Sequence, residues 1–543
     1  MSDGIVRNNW HTLINLHWSP LYPFLIGVLA KIAHPSARWE LPLVHLLNLL
    51  IFVCALAAFE FMMRQLIAIL VPDGSGPQSE LPLLQRAYVW ELLGYSVFAW
   101  TTFFLAGSVR RVLTDLCVLS FVYLDAGIVL RILSKHRLML WFVCLGAALG
   151  FGYYAKTVLF PVGLLFMVVA VCAAGNWRRS VLPALAMVLI FFVITLPLVT
   201  AVSRSAGHLT IGEAGRMEYA WLVYGQPSAF YMSPRLDYRK DPPNVTHPEI
   251  AFYGDNMAIV RILHHGPDVL QLAPQSNATY PPWSDPASFG SGLEAPFHFG
   301  DQIRTIGKSL KRCAMVLLVP IPLTLAAYLI LFFGAARTPG RWRSILRVWP
   351  LLVVGIFCLS IYSLILIEPR YIAVFVALVW MSLLCGVQFQ RSNDRSRITN
   401  IATGSLILSL TATAVGIVIY HFARPPRALQ GSISEAYSVA SELGKDGLRP
   451  GDVIAVVGDG GGSIGFARFA RVRIDVAIPY NDSSKFWHIS DPREKNEVYD
   501  AFREAGARMV VSDEVPPAKG FEDWHRVADT DIYVHNLGQG AHE

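Results

Sequence analysis

Charge is scarce in this 543-residue chain: Asp, Glu, Lys and Arg together make up 15%, against 54% hydrophobic residues, and the mean hydropathy is +0.45. So little polar surface excludes a soluble core of this size and points to a polytopic membrane protein. Cysteine is missing from the long polar stretches. All seven (Cys54, Cys117, Cys144, Cys172, Cys313, Cys358 and Cys385) fall in or beside apolar runs, which excludes a disulfide framework or a thiolate metal site in the polar parts. Carboxylates are missing near the start, where Asp3 is followed by none until Glu40. The opening MSDGIVRNNW also lacks the charged, apolar and cleavage regions of a signal peptide. Heptads, repeats and low-complexity tracts are absent as well.

What is present is a series of ten apolar runs, at 41–63, 87–106, 113–133, 138–155, 158–175, 181–202, 312–334, 349–367, 370–389 and 399–421. Each is long enough, at about 1.5 Å per residue, to cross a ~30 Å hydrocarbon layer. Basic residues cluster after every second run: Arg131, Lys135 and Arg137; Arg178 and Arg179; Arg337, Arg341, Arg343 and Arg347; Arg391, Arg395 and Arg397. These short basic connections are expected in the cytoplasm. The net charge of +6 is then a topological marker and needs no nucleic-acid partner.

By parity the polar parts share the extracytoplasmic side. They are an opening loop over 1–40, a large loop over 203–311 rich in Pro, Tyr and Trp, and a segment over 430–543; the membrane spans occupy 41–202 and 312–421. Loops as long as 203–311 are functional or separately folded. In the last segment EAYSVASELGKDGL and EKNEVYDAFREAG read as helices, while DVIAVVG, VRIDVAI, ARMVVSD and DIYVHNL read as strands. That alternation predicts a small α/β domain.

Ionisable residues at membrane depth or on the disfavoured side mark candidate sites, because placing them there costs free energy. Arg110 and Arg111 precede Asp115, which opens the third run; two guanidiniums there suit an anion such as a phosphate, or an ion pair with Asp115. Lys156 follows Gly146, Gly150 and Gly152. The glycines are expected to let helices approach closely, and the lysine either to snorkel or to meet a phosphate. Glu368, Arg370 and Tyr371 form the hinge of a tight hairpin, where the charges either neutralise each other or meet a lipid phosphate. In the opening loop Trp10, His11, His17 and Trp18 surround SPLYP, and an aromatic belt explains the tryptophans.

These pieces, W-H-x(5)-H-W-S-P-L-Y-P, R-x-x-T-D, G-x-G-Y-x-x-K-x-x-x-x-P and E-P-R-Y in that order, together resemble the GT-C class of integral-membrane glycosyltransferases. The resemblance is to bacterial proteins related to the protein O-mannosyltransferases and the lipid A aminoarabinose transferase, and it covers 1–421. SAGHLTIGEAGRMEYAWLVYG and TYPPWSDPASF match as well. The fold expected is a polytopic α-helical GT-C membrane protein of about ten spans with a C-terminal extracytoplasmic α/β domain.

The resemblance implies transfer of a sugar, with inversion, from a polyprenyl-phosphate-linked donor to a protein, lipid or glycan acceptor at the outer membrane face. It assigns Arg110, Arg111, Lys156 and Arg370 to the donor phosphate, and Asp115 and Asp3 to the catalytic carboxylates. His17, Trp18, Tyr22, Tyr280, Trp283, Glu368 and Tyr371 are assigned to the substrate cleft. No cofactor is implied beyond the lipid-linked co-substrate; no His/Cys cluster has metal-ligand spacing, and a divalent metal at an acidic site is left open.

GT-C proteins begin with a membrane helix followed by the catalytic carboxylate, whereas here MSDGIVRNNW stands at the far end of that motif. A missing first helix is the expectation drawn from this. A catalytically impaired scaffold acting through its C-terminal domain is the alternative. A transporter fits less well, because the spans are almost free of midplane charge. The run GGGSIG at 460–465 matches G-x-G-x-x-G, yet Asp475 lies inside the next strand rather than at its end, against a dinucleotide site.

Overall fold

A computed structural model describes residues 1–71, 86–106, 112–135, 137–224, 259–272, 279–280, 296–318, 322–334, 341–387, 397–423, 427–458 and 460–538. The chain opens with a short helix, α1 (Ser2–Val6), and a single 3-10 turn (Trp10–Leu13). The apolar α2 (Leu21–Ala33) follows, then the long α3 (Ala37–Leu70). Next come α4 (Ala87–Ala99), extended by a π-helical turn (Trp100–Leu105), α5 (Asp115–Leu133), α6 (Leu138–Ala155), α7 (Leu159–Ala174) and α8 (Trp177–Ala206). A short helix, α9 (Ala214–Tyr219), leads into a second π turn.

Beyond it lie α10 (Phe299–Leu318), α11 (Pro322–Gly334), α12 (Arg341–Arg347), α13 (Trp349–Ser363), α14 (Pro369–Leu384) and α15 (Arg397–Ala423). Six described helices are long and apolar enough to cross a membrane: α3, α5, α6, α8, α14 and α15; α2, α7, α11 and α13 are shorter apolar helices. The protein is an integral membrane protein.

The apolar run expected over 312–334 is divided between two helices. α10 ends at Leu318 and Pro322 opens α11, because proline is tolerated in the first turn of a helix but not inside one. α10 is amphipathic: Phe299, Ile303 and Leu310 are exposed alongside Arg304, Lys308 and Lys311. Such a helix suits the edge of a membrane rather than its core.

Two close contacts organise the bundle. A Cβ on Gly146 would lie 2.4 Å from the carbonyl oxygen of Met187, and one on Gly150 would lie 2.9 Å from the Ile194 side chain, so α6 and α8 touch through the glycines as the spacing predicted. α14 is apolar on all sides, with every residue from Ile372 to Ser382 buried, and therefore runs through the centre. One carboxylate departs from the expectation of spans with little midplane charge. Asp125 is buried within α5, and its Oδ1 has no hydrogen-bond partner.

The C-terminal part holds a seven-stranded sheet of order β1-β2-β4-β3-β5-β7-β6. Its strands are β1 (Ile259–His264), β2 (Val269–Leu272), β3 (Val453–Gly458), β4 (Arg473–Pro479), β5 (Ala507–Ser512), β6 (His525–Arg526) and β7 (Tyr533–Asn536). The parallel centre, β4-β3-β5, is nearly continuous apolar sequence, as strands covered on both faces require. One face packs on α16 (Arg427–Lys445) and α17 (Gly460–Ala470). The other packs on α18 (Tyr480–Trp487) and α19 (Pro492–Glu504). The hairpin β1-β2 comes from the long 203–311 stretch, and β2 pairs antiparallel with β4 through Leu270–Ala477 and Gln271–Val476. The two polar stretches thus meet in one sheet.

Candidate active site

Four of the ionisable residues singled out in the sequence, Asp115, Lys156, Glu368 and Arg370, converge where the end of α6, the starts of α5, α7 and α14, and α9 come together. Asp115 is the first residue of α5 and is buried. Lys156 occupies the extended corner between α6 and α7, and its Nζ lies 2.9 Å from Asp115 Oδ1. The same ammonium sits 3.6 Å from the centroid of the Tyr371 ring. The Arg370 guanidinium lies 4.8 Å from that centroid and its Nη2 donates to the Tyr371 hydroxyl at 3.1 Å. One aromatic ring thereby gathers two cations, which its quadrupole stabilises.

Glu368 is buried at the start of α14, with Arg370 at 3.9 Å and Arg312 of α10 also at 3.9 Å. Arg312 was not singled out in the sequence, where it reads as one more base in a helix with Lys308 and Lys311. Burial pulls the Lys156 ammonium below its ordinary range, with Asp115 acting in the opposite direction. Lys156, Arg370 and Arg312 surround this end of the bundle with positive charge, and the carboxylates of Asp115 and Glu368 are already shared with these cations. An anionic group such as a phosphate can replace a carboxylate in that arrangement with charge-assisted hydrogen bonds.

The opening segment is tied to the same corner. Asn15 Oδ1 accepts from the backbone of His17 (3.0 Å) and Trp18 (2.7 Å), an Asx turn. The Thr157 amide donates to Ser19 Oγ at 3.1 Å. His17 is buried edge-on to Trp18 at 4.4 Å and 6.4 Å from Trp221. Burial lowers its pKa to about 4, so it is neutral at pH 7.

Three expected site residues have other surroundings. Tyr22 is buried among Leu47, Ile51, Leu116, Cys117 and Ala155, and its hydroxyl donates to Asn48 Oδ1 at 2.6 Å. It fixes the packing of α2 on α3 and α5 rather than lining an open cleft. Tyr280 is buried in the core of the C-terminal sheet with Leu270, Leu272 and Ile474, because the preceding Thr279 accepts a backbone hydrogen bond from Ile474.

Asp3, expected as a catalytic carboxylate, accepts from Arg468 Nη1 (2.6 Å) and Nη2 (3.0 Å) on both its oxygens. Burial raises its pKa, but the Arg468 hydrogen bonds and charge outweigh that and hold it below the ordinary range. A carboxylate engaged in this way is a poor proton acceptor. Arg110, Arg111 and Trp283 lie outside the described residues.

Glu218 on α9 is the group that sequence reading missed. It is partly buried and within electrostatic reach of both Lys156 and Arg370. Its signal was its place in the matched segment SAGHLTIGEAGRMEYAWLVYG, hidden there by the equally acidic Glu213. In the C-terminal domain, Gly458 has φ +94, and a Cβ there would lie 2.9 Å from Glu514 Oε1. Glu514 also accepts from Ser483 Oγ and Trp487 Nε1. A carboxylate faces the start of the glycine run, and Asp475 pairs with Arg473 at 3.3 Å within β4, which agrees with reading the run as no phosphate loop.

No protein-family profile matches this chain, and no curated protein sequence matches it. Among solved structures, ArnT from Cupriavidus metallidurans in the apo state is similar with a TM-score of 0.50 and 12% identity, over 99% of this chain and 91% of that one. The same protein bound to undecaprenyl phosphate aligns with a TM-score of 0.43 and 14% identity, over 99% and 92%. The apo oligosaccharyltransferase of Archaeoglobus fulgidus aligns with a TM-score of 0.48 and 12% identity, over 94% and 64%. The likeness to apo ArnT is one of fold: the chain is built on the GT-C architecture.

Proposed function

We propose that this chain is a membrane glycosyltransferase that moves a sugar from a polyprenyl-phosphate-linked donor to an acceptor at the extracytoplasmic face. The observation that carries this reading is the pair of cations, Lys156 and Arg370, held over the Tyr371 ring beside Asp115 and Glu368. The leaving group of such a transfer is a lipid phosphate whose negative charge grows as the glycosidic bond breaks. Preorganised cations at that point favour the transition state over the ground state. Lys156 and Arg370 bind the phosphate, Tyr371 orients them, and Asp115 holds Lys156 in place. Arg110 and Arg111 are proposed to add to the phosphate side, and Trp18 and Trp283 to the sugar and acceptor side.

The fold shared with apo ArnT, a protein also solved bound to undecaprenyl phosphate, supports a lipid carrier of that chemical class. The basic connections on the other side of the bundle support an extracytoplasmic site. A catalytically silent scaffold is the second reading, favoured by the engagement of Asp3 with Arg468.

The test is donor consumption by the full chain purified into lipid nanodiscs, across a panel of polyprenyl-phosphate sugars. Hydrolysis or transfer of one donor, abolished in the Lys156→Met variant, is expected. A chain that binds polyprenyl phosphate yet consumes no donor, while a known GT-C enzyme works in the same assay, would establish the scaffold reading instead.

A further inference from the structure

We propose that Glu218 is the catalytic carboxylate that takes the acceptor's proton during transfer; this rests on the glycosyltransferase reading above. Most carboxylates around the site are committed to a cation. Asp115 is paired with Lys156 at 2.9 Å, Glu368 lies between Arg312 and Arg370, and both oxygens of Asp3 accept from Arg468. Glu213, on the turn before Glu218, accepts from Arg216 at 3.2 Å and lies 3.1 Å from His208. Among the described residues, Glu218 alone of these carboxylates forms neither an ion pair nor a hydrogen bond.

Its position is built, not incidental. The segment before α9 is pinned by three contacts, one each to the end of α6, to the opening segment and to Thr157 beside Lys156. The Tyr153 hydroxyl donates to the Ile211 carbonyl at 2.8 Å, and the Glu213 amide donates to the Leu16 carbonyl at 2.7 Å. Gly212 has φ +137, and a Cβ there would lie 2.9 Å from the Thr157 methyl, so a side chain is excluded on both backbone and steric grounds. α9 then carries Glu218 toward the site, one turn before Trp221, which approaches His17. The charged groups within electrostatic reach of Glu218 are Lys156 from the α6–α7 corner and Arg370 from α14. His17 lies beyond Trp221, and His298 beside Tyr224 on the following turn. Burial raises the Glu218 pKa, while Lys156 and Arg370 act against that rise; a carboxylate brought toward neutrality in this way is better matched to proton transfer than a fully solvated one.

The acceptor hydroxyl oxygen forms a bond to the anomeric carbon, and its proton passes to the Glu218 carboxylate. The bond between that carbon and the phosphate oxygen breaks, and its electron pair stays on the phosphate beside Lys156 and Arg370. The products are the glycosylated acceptor and the polyprenyl phosphate, and Glu218 returns its proton to water.

The experiment compares Glu218→Gln and Glu218→Asp with the unaltered chain in nanodiscs, measuring transfer, polyprenyl phosphate binding and the pH dependence of kcat/KM. Glu218→Gln is expected to lower transfer about 100-fold or more, to leave polyprenyl phosphate Kd within a few-fold, and to remove the acid limb of the pH profile. Glu218→Asp is expected to restore part of the rate with the limb displaced. Transfer by Glu218→Gln within a few-fold of the unaltered chain, or a loss of lipid phosphate binding as large as the loss of rate, overturns the assignment and leaves the glycosyltransferase reading intact. An unaltered chain without transfer overturns both.

Discussion

Arg468 donates to both carboxylate oxygens of Asp3 across 465 positions of sequence, and its Nη2 lies 2.9 Å from Glu40 on α3. This joins α17 of the C-terminal domain to the first helix of the chain. Burial works against the Arg468 charge, but Asp3 and Glu40 outweigh it and raise its pKa.

Arg468→Ala is therefore expected to loosen the domain from the opening segment. The side chains are 48% and 35% exposed, so the stability change is set at about 1 kcal/mol, as for exposed ion pairs. Because Asp3 is held below its ordinary value of 3.8, the contribution is fully present above that pH and drains away as the pH falls through the lower folded value. Limited proteolysis between the last span and the domain, together with thermal unfolding, measures it. Unchanged proteolysis from pH 7 to pH 3 refutes the latch.

Lys156→Met is expected to abolish donor consumption and to lower stability by about 3–5 kcal/mol, since Asp115 is left as a buried unpaired charge. Adding Asp115→Asn removes that charge. The double variant should regain most of the stability while staying inactive. Thermal unfolding read alongside donor consumption separates the two effects, and recovery of activity in the double variant counts against a phosphate role for Lys156.

At Tyr371 the ring and the hydroxyl carry different duties. Tyr371→Phe keeps the ring under Lys156 and loses the bond from Arg370, so polyprenyl phosphate affinity should fall by a few-fold. Tyr371→Leu removes the face as well, and the cation–π contribution of about 1–2 kcal/mol makes the expected loss tenfold or more. Equal losses in the two variants contradict an orienting role for the ring.

Gly146→Ala drives a methyl against the Met187 carbonyl oxygen, at 2.4 Å before any relaxation. Separation of α6 from α8 should cost about 1–3 kcal/mol and displace Lys156 at the end of α6. A lower unfolding temperature accompanied by weaker lipid phosphate binding is the expected pair of readouts. Tolerance of the methyl with both unchanged would show that the helices slide freely.

Much of the architecture was legible because its signals are local. Apolar runs and prolines mark helices, glycines at helical spacing in α6 mark a close neighbour, and DVIAVVG and ARMVVSD read as strands. Asp115, Lys156, Glu368 and Arg370, with Tyr371 beside them, were singled out because charges beside membrane spans are costly and therefore stand out. Arg312 and Glu218 did not stand out, each being one ionisable residue among several in a polar segment. Nothing in the residues around Tyr280 distinguished a cleft aromatic from one that closes the core of a sheet.

The sequence by itself determined that this is a membrane protein, roughly where its helices run and which residues sit at costly positions, since hydropathy and local propensity depend on neighbours in the chain. Only the tertiary structure decided how the charges are shared. Pairing Lys156 with Asp115, drawing Asp3 to Arg468 and leaving Glu218 uncommitted among the described residues depend on contacts between segments tens to hundreds of residues apart. Electrostatic and hydrogen-bond energies at those contacts fall off within a few ångströms and carry no trace in local composition.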